Sequence, residues 1–222
     1  MADYTRLTSE EVLGLIGDYD IGKLVSVSPM AGGQANSSFQ IKTDQGSYIL
    51  SVCDEKNYDE IDGLCRVLEY LETKSFSTSR LVRTSAGDRF IRLGDKPVYL
   101  KAFMPGEVVS SLTPPMMEQV GRAMADLHAL PPLAVLPDHF PYGLEFFDEL
   151  FDSGLKHGFI DWLKSRQDWL LSNLDPNAEK GFIHGDIFWD NLLFSRGRLA
   201  AVLDFEEACH YYKLYDIGMC IT

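Results

Sequence analysis

The sequence predicts an α+β fold of two lobes, a small antiparallel-sheet lobe over residues 1–104 and a mainly helical lobe over residues 105–222. Three observations support this division. Strand-like apolar runs dominate the first hundred residues, helical patterns dominate the rest, and Met104-Pro-Gly106 interrupts the pattern between them. A chain of 222 residues, 45% of them hydrophobic, can bury the cores that such an arrangement needs.

The first lobe is expected to hold two helices and five strands. Thr8-Ser-Glu-Glu11 has the capping-box pattern that begins a helix, and Asn57 precedes apolar residues at helical spacing. Strands are predicted where β-branched and aromatic residues mix with polar ones, and Asp44-Gln-Gly46 supplies a tight turn between two of them. The predicted strands are residues 24–28, 38–43, 47–53, 90–93 and 98–103.

The second lobe is expected to be mainly helical. Thr113-Pro-Pro is a typical helix start, because Thr can cap a helix and Pro is tolerated in the first turn. An apolar stripe follows it, and two further helical patterns occupy residues 146–155 and 159–174. Three short apolar runs are predicted to be buried strands, residues 181–183, 192–194 and 199–203.

Composition and charge exclude several classes of protein. The formal charge is −13 and the pI is about 4.7, so the phosphate backbone of a nucleic acid would be repelled. No apolar run approaches the roughly 20 residues that cross a bilayer, and the N-terminal residues lack the pattern of a signal peptide. The cysteines form no C-x-x-C pair and are predicted to be reduced core thiols: Cys53, Cys65, Cys209 and Cys220. We therefore expect a cytoplasmic protein without nucleic-acid or membrane partners.

The most informative motif is Phe182-Ile-His-Gly-Asp-Ile-Phe-Trp-Asp-Asn191, which an apolar strand and Val202-Leu-Asp-Phe-Glu206 follow. In this pattern Asp186, Asn191 and Asp204 lie on short loops that follow apolar, strand-like runs. The four fixed residues of H-G-D-x-x-x-x-N should occur by chance in a chain of this length on the order of once in a thousand. We therefore interpret the pattern as functional.

These three residues match the chemistry of phosphoryl transfer. That reaction needs a carboxylate to take the proton of an attacking hydroxyl, and an amide and a carboxylate to hold magnesium against a triphosphate. Oxygen ligands suit Mg²⁺, which usually keeps waters and substrate phosphates as further ligands. We predict that Asp186 is the catalytic base, although a lone aspartate more often closes a turn on its own backbone. Asn191 and Asp204 are predicted to bind magnesium. Because four apolar residues precede Asp204, we expect it to emerge from a buried strand, where an unpaired carboxylate is costly.

The same residues carry a resemblance to a known family. H-G-D-x-x-x-x-N with a later D-F-E is similar to the signature of the aminoglycoside phosphotransferase and choline kinase superfamily, whose fold resembles that of protein kinases. Within it, the motif, the D-F-E-E-A-C run and Tyr215-Asp-Ile-Gly-Met-Cys-Ile221 most resemble homoserine kinase, from about Val25 to the last residue. The resemblance implies a bilobal protein-kinase-like fold, ATP and Mg²⁺ as cofactors, and a small-molecule hydroxyl acceptor, with homoserine the first choice. An aminoglycoside, choline, methylthioribose or hydroxylysine is the alternative acceptor.

Two features leave further alternatives open. Many relatives carry a Lys in the third strand, paired with a Glu on the following helix, to hold the α- and β-phosphates; the matching positions here are Ser51 and Leu64. Lys42 and Lys56 are the unranked candidates to replace that charge. Family members also carry further helices beyond the apolar run that ends at Ile221, so we expect the second lobe to be truncated. Both features also fit a non-catalytic nucleotide-binding module.

Two segments of the first lobe are predicted to bind the nucleotide. Ala31-Gly-Gly-Gln-Ala-Asn-Ser37 would cover the phosphates, because paired glycines let backbone amides approach an anion, although Gly-Gly between strands is also an ordinary hairpin. The candidate contacts in this segment are Gly32, Gly33, Asn36 and Ser37. The resemblance places Lys101-Ala-Phe-Met104 at the segment that binds adenine through main-chain groups. Its candidate contacts are the C=O of Ala102 and the N–H of Met104.

Supporting roles are predicted for residues around the motif. His184 is expected to brace the loop by hydrogen bonding to its backbone, and the other histidines to be structural or exposed. Asp216 resembles a family aspartate that supports the active-site loop, although capping of a helix N-terminus would satisfy it equally. Glu206 and Glu207 could meet an ammonium group of the acceptor or form a solvated surface.

Overall fold

The computed structural model of the protein describes residues 5–30, 36–143, 146–175 and 177–221. The chain divides into two compact units, Met1–Ser110 with Leu192–Leu203, and Ser111–Asn191 with Asp204–Thr222. The first unit is built mainly on antiparallel sheet and the second mainly on helices. The predicted α+β class is therefore confirmed.

An antiparallel sheet flanked by two helices forms most of the first unit. The helices are α1 (Ser9–Ile16) and α2 (Tyr58–Thr73), and the strands are β1 (Leu24–Pro29), β2 (Asn36–Thr43), β3 (Ser47–Cys53), β4 (Leu81–Val82), β5 (Ile91–Leu93) and β6 (Lys96–Ala102). The strand order is β1-β2-β3-β6-β4, and β5 also pairs with β6. All five strands predicted for this lobe are present, and β4 is an additional one.

One face of this sheet packs against α1 in a hydrophobic cluster. Both α1 and α2 begin with capping boxes, at Thr8 with Glu11 and at Asn57 with Glu60. Helix α1 buries Val12 against alternate residues of the strands, namely Phe39, Ile41, Leu50, Val52, Val98 and Leu100. Because successive strand residues point to opposite faces, the intervening residues lie on the other side of the sheet. Helix α2 contacts β4 and β6.

Four helices and a two-stranded sheet form most of the second unit. The helices are α3 (Pro114–His128), α4 (Asp148–Asp152), α5 (Gly158–Asn173) and α6 (Lys213–Cys220), and the strands are β8 (Lys180–Ile183) and β11 (Cys209–Tyr212). Strands β8 and β11 pair antiparallel, with Ile183 opposite Cys209. Helices α3 and α5 lie where they were predicted, whereas only Asp148–Asp152 of the pattern at residues 146–155 is helical.

A hairpin from the later part of the sequence belongs to the first unit. Strand β9 (Leu192–Ser195) pairs with both β10 (Arg198–Val202) and β7 (Glu107–Val108). The Val202 N–H also donates to the main-chain oxygen of Ser77 at 2.9 Å. The division therefore differs from the one expected between residues 104 and 105. The first unit extends to Ser110, and it includes the β9–β10 hairpin because β9 pairs with β7.

The state of the cysteines and the lengths of the helices can be compared with what composition predicted about thiols and membrane spans. All four cysteines are reduced thiols; Cys53, Cys65 and Cys209 are buried, and Cys220 is half-buried. Burial raises the pKa of the Cys65 and Cys209 thiols to about 12, so both are protonated near neutral pH. Across the described ranges, no helix is both long enough and apolar enough to cross a membrane.

Candidate active site

The loop after β8 brings two of the predicted residues together. It runs from His184 through Asp186 into a turn of 3-10 helix, Trp189–Asn191. The Asn191 Nδ2 group donates to the main-chain oxygen of Asp186 at 2.8 Å and to its Oδ2 atom at 2.9 Å. The spacing in H-G-D-x-x-x-x-N thus lets the amide reach back across one short turn. Because its nitrogen faces Asp186, the amide keeps Oδ1 for another ligand.

Asp186 is half-buried, and its surroundings change its acidity. Burial raises the pKa of this carboxyl above its usual value, and the charges of Asp204 and Asp190 raise the pKa further. The charge that His184 carries when protonated and the hydrogen bond from Asn191 both act to lower this pKa. A carboxylate with a raised pKa accepts a proton more readily, which suits the role of a base.

Asp204 follows β10 and Leu203 on the way out of the hairpin. Its φ is +62°, a left-handed conformation that Asp and Asn adopt more readily than other L residues. The last residues of β10, Ala201 and Val202, are buried as expected, but the Asp204 side chain itself is exposed. The reason is local: β10 ends at Val202, and the chain changes direction at the left-handed Asp204 before the buried Phe205. Asp204 nevertheless lies close enough for its charge to act on Asp186.

The donor set fits magnesium better than a metal held by protein alone. Asn191 offers an amide oxygen and Asp204 a carboxylate, both oxygen ligands. Nowhere in the described parts of the chain do three or more His, Cys, Asp or Glu side chains form a group that could hold a metal ion. Magnesium commonly takes one or two carboxylates and completes its coordination with waters and substrate phosphates.

A buried aspartate fixes the start of this loop. Asp216 is 0% exposed and is the fourth residue of α6. Its carboxylate accepts hydrogen bonds from the main-chain N–H groups of His184 at 2.8 Å and Gly185 at 2.9 Å, and from His128 Nε2 at 2.9 Å. Tyr212 is the N-cap of α6, so the helix-capping alternative for Asp216 is wrong. The structure supports the alternative in which it holds the loop, and His128 has a structural partner.

Gly185 cannot carry a side chain without a local shift. Its φ is +84°, where glycine is favoured. A Cβ atom there would lie 2.6 Å from the main-chain oxygen of Glu207 and 2.9 Å from the ring of Phe140. The glycine of the motif therefore allows the close approach of the loop to the segment after Asp204.

His184 braces the loop, as predicted. The ring is buried, and its Nδ1 atom accepts a hydrogen bond from the Asp186 N–H at 3.1 Å. An accepting Nδ1 carries no proton, so the neutral ring has its proton on Nε2. The ring also packs against Phe205 with centroids 4.5 Å apart. These contacts occupy His184 in shaping the backbone at Asp186.

The predicted phosphate-covering segment is described in part. Gly32 and Gly33 lie outside the described residues. Asn36 begins β2 and is half-buried. Ser37 is 7% exposed, and its hydroxyl donates to Asp54 Oδ2 at 2.6 Å. The expectation that the Ser37 hydroxyl faces a phosphate is therefore corrected, because the strand register turns it toward the α1 side of the sheet.

The predicted adenine-binding segment follows β6 directly. The Ala102 N–H donates to the main-chain oxygen of Arg80 at 2.8 Å, and the Phe103 N–H donates to that of Ser47 at 3.0 Å. Within the described residues, the Met104 N–H makes no hydrogen bond. Met104 therefore has a main-chain donor available, as the prediction requires.

The sequence patterns did not predict a polar cluster around Asp54. Asp54, directly after β3, accepts hydrogen bonds from Lys96 Nζ at 2.6 Å and Thr5 Oγ1 at 2.5 Å as well as from Ser37. Burial alone would raise the pKa of Asp54, but these bonds and the charge of Lys96 hold it below its usual value. Its partners are 17 to 49 positions away, so no local sequence signal marks the cluster.

Solved structures share this fold. The chain matches the microcompartment-associated aminopropanol kinase with a TM-score of 0.75, at 20% identity, over 97% of this chain and 74% of that one. It matches a spectinomycin phosphotransferase in complex with ADP and spectinomycin with a TM-score of 0.71, at 15% identity, over 97% of this chain and 74% of that one. At these identities the likeness shows the fold alone, which is the fold that these two proteins share.

The sequence itself defines the family. Residues 26–222 match the model of the phosphotransferase enzyme family. The chain is 29% identical, over 232 residues, to the homoserine kinase of Gluconobacter oxydans (strain 621H), covering 100% of this chain and 73% of that one. The protein belongs to the phosphotransferase enzyme family, as the resemblance predicted.

Proposed function

We propose that this protein is an ATP-dependent kinase that transfers the γ-phosphoryl group to the hydroxyl of a small molecule, with homoserine as the acceptor. The observation that supports this most is the pairing of Asp186 with Asn191 on a loop that Asp216 fixes from α6. The similarity of the whole chain to the homoserine kinase of Gluconobacter oxydans supports the choice of acceptor.

Asp186 would act on the acceptor hydroxyl. Its carboxylate takes the proton as the hydroxyl oxygen bonds to the γ-phosphorus, and the bond from that phosphorus to the bridging oxygen of ADP breaks. Because the transition state of phosphoryl transfer is loose, this role is largely one of orientation. The hydrogen bond from Asn191 Nδ2 to Oδ2 keeps the carboxylate in one position.

Asn191 Oδ1 and Asp204 would hold magnesium, which when bound neutralises charge on the β- and γ-phosphates. The adenine would bind the C=O of Ala102 and the N–H of Met104. Gly32, Gly33 and Asn36 would contact the phosphates. Ser37 is not retained as a phosphate contact, because its hydroxyl is bonded to Asp54.

The test is ADP release with Mg²⁺-ATP and a panel of acceptors: homoserine, other hydroxy-amino acids, amino alcohols and an aminoglycoside. We expect turnover with homoserine. Asp186→Asn should abolish turnover while Mg²⁺-ATP still raises the melting temperature, and Asp204→Asn should weaken magnesium-dependent nucleotide binding. Asp168→Asn is the matched control, since it removes the same charge from an exposed position on α5.

Each part of the proposal can fail separately. Turnover retained in Asp186→Asn would remove that residue from the role of base. Unchanged magnesium-dependent binding in Asp204→Asn would overturn the metal assignment. Turnover only with another acceptor would replace homoserine, and nucleotide binding without turnover would indicate a binding module.

A further inference from the structure

A half-buried lysine in the first unit has an ammonium group without an acidic partner. Lys101 lies near the end of β6, and its Nζ atom donates to the Tyr99 hydroxyl at 3.2 Å. The same atom lies 5.0 Å from the centroid of the Tyr99 ring. Among the described residues Lys101 forms no ion pair, although the chain has 33 acidic and 20 basic residues. A partly desolvated cation without a counter-charge is a site for an anion.

The strand register places this lysine on the side of the sheet away from α1. Ser51 of β3 lies opposite Tyr99, and Ser38 of β2 lies opposite Ser51. The Oγ atoms of these two serines are 3.4 Å apart. Lys101 shares the face of Tyr99 because the two residues are two positions apart on one strand. Helix α2 contacts β6, and the charge of Lys101 acts to lower the pKa of the Cys65 thiol in that helix.

The ammonium lies between the two ends of the proposed nucleotide site within this unit. Ala102, the proposed adenine contact, follows Lys101 directly. Asn36, the proposed phosphate contact, pairs with Cys53, one same-face step beyond Ser51. Such a step is about 7 Å along a strand. Because its Nζ is bonded to Tyr99, the Lys101 side chain extends from the adenine end toward the phosphate end.

The two lysines considered from the sequence are placed less well. Lys42 pairs with Ser47 at the end of β2 remote from Asn36, and it is exposed. Lys56 lies outside the sheet, between β3 and α2. Neither lysine lies beside the cross-strand pair Tyr99–Ser51, to which Lys101 is linked through its hydrogen bond with Tyr99.

We propose that Lys101 binds the α- and β-phosphates of the nucleotide. The cation is then supplied from β6 and not from β3, where the uncharged Ser51 stands. The Tyr99 hydroxyl accepts one hydrogen bond of the ammonium and thereby orients it, which leaves its other N–H groups for phosphate oxygens. The inference rests on the proposed function, since it requires that the protein bind a nucleoside triphosphate.

The test compares the affinities of Mg²⁺-ATP and of adenosine, which has no phosphate, by calorimetry. The variants are Lys101→Met and Lys101→Arg. Lys74→Met is the matched control, because Lys74 also lies over a tyrosine ring, with its Nζ 5.2 Å from the centroid of Tyr70, but is exposed at the end of α2. If Lys101→Met fails to fold, Lys101→Gln, which keeps a polar side chain, takes its place.

We expect Lys101→Met to weaken Mg²⁺-ATP binding by roughly ten- to a hundredfold, the range of a hydrogen bond to a charged group. Adenosine binding should stay unchanged, Lys101→Arg should retain most of the ATP affinity, and Lys74→Met should bind both ligands like the native protein. If Lys101→Met lowered the affinities for Mg²⁺-ATP and adenosine equally, or lowered neither, Lys101 would not be the phosphate-binding residue. That outcome would leave the proposed function untouched. If the native protein bound adenosine but not Mg²⁺-ATP, the proposed function would fail together with the assignment of Lys101.

Discussion

The proposed catalytic loop at residues 184–191 and the polar cluster around Asp54 reach their geometry by different routes. In the loop, Asp186 bonds with residues two and five positions away along the chain. In the cluster, Asp54 bonds with Ser37 and Lys96, 17 and 42 positions away. A short-range set of partners is visible as a motif, whereas a long-range set depends on strand register. The loop nevertheless has one long-range support, the carboxylate of Asp216.

Removal of that support gives the largest expected effect. Asp216→Ala leaves two buried main-chain donors and the half-buried His128 ring without their acceptor, so we expect a loss of about 3 kcal/mol or more in the free energy of unfolding. Turnover should fall with it, because the loop loses its anchor. Urea unfolding and ADP release measure the two effects. Asp168→Ala, exposed on α5, is the control. Native-like turnover in Asp216→Ala would show that the short-range bonds suffice.

Alanine substitutions at two glycines with positive φ distinguish the effect of backbone strain from that of a steric clash of the new Cβ atom. Gly185→Ala adds both a strained positive φ and a Cβ atom against Glu207 and Phe140, so we expect a loss of about 2–3 kcal/mol and a clear fall in kcat. Gly197→Ala has a similar φ of +74° with no atom near its Cβ. It should lose only about 1 kcal/mol with kcat unchanged. Equal effects of the two variants would contradict the close approach at Gly185.

The Asp54 cluster should reveal itself through pH. Its depressed pKa means that the ionised carboxylate stabilises the fold above the ordinary pKa of an aspartate, and that this stability is lost as the pH falls through the lower folded pKa. Asp54→Asn should therefore lower the melting temperature at neutral pH, by an amount that shrinks in acid. A difference that stays constant from pH 7 to pH 3 would exclude a role for the charge.

Ser37→Ala should have the smallest effect. It removes one hydrogen bond to Asp54, worth about 1 kcal/mol, and we expect the KM for ATP to stay within about twofold of the native value. Thermal unfolding and initial rates measure the two quantities. A raised KM without a loss of stability would return the Ser37 hydroxyl to the phosphates.

The sequence predicted the elements whose signals are local. The capping box at Thr8, the helix after Asn57, the five strands of the first lobe and the bracing role of His184 follow from neighbouring residues, and the structure has them. The exposure of Asp204 could not be predicted, because an apolar run does not show where a strand ends or where the backbone turns left-handed. The pairing of β7 with β9 was equally hidden, since a two-residue strand has no pattern of its own.

The position of Lys101 was hidden for a related reason. Its sequence neighbours suggest a strand that leads into the adenine-binding segment. Only the register of β6 against β3 shows that Lys101 shares a face with Ser51. Similarly, Ser37 and Ser38 are neighbours on β2, so their side chains point to opposite faces of the sheet, and the sequence does not show which face each one takes.

The bonds of Asp216 also bear on the order in which the protein acquires its shape during synthesis. Gly185 and Asp216 are 31 positions apart, and His128 and Asp216 are 88 apart. The ribosome therefore releases the whole H-G-D segment before the residue that holds it in place. We expect a nascent chain that stops short of α6 to contain the motif without its hydrogen bonds to Asp216, so that the native position of the loop arises late in translation.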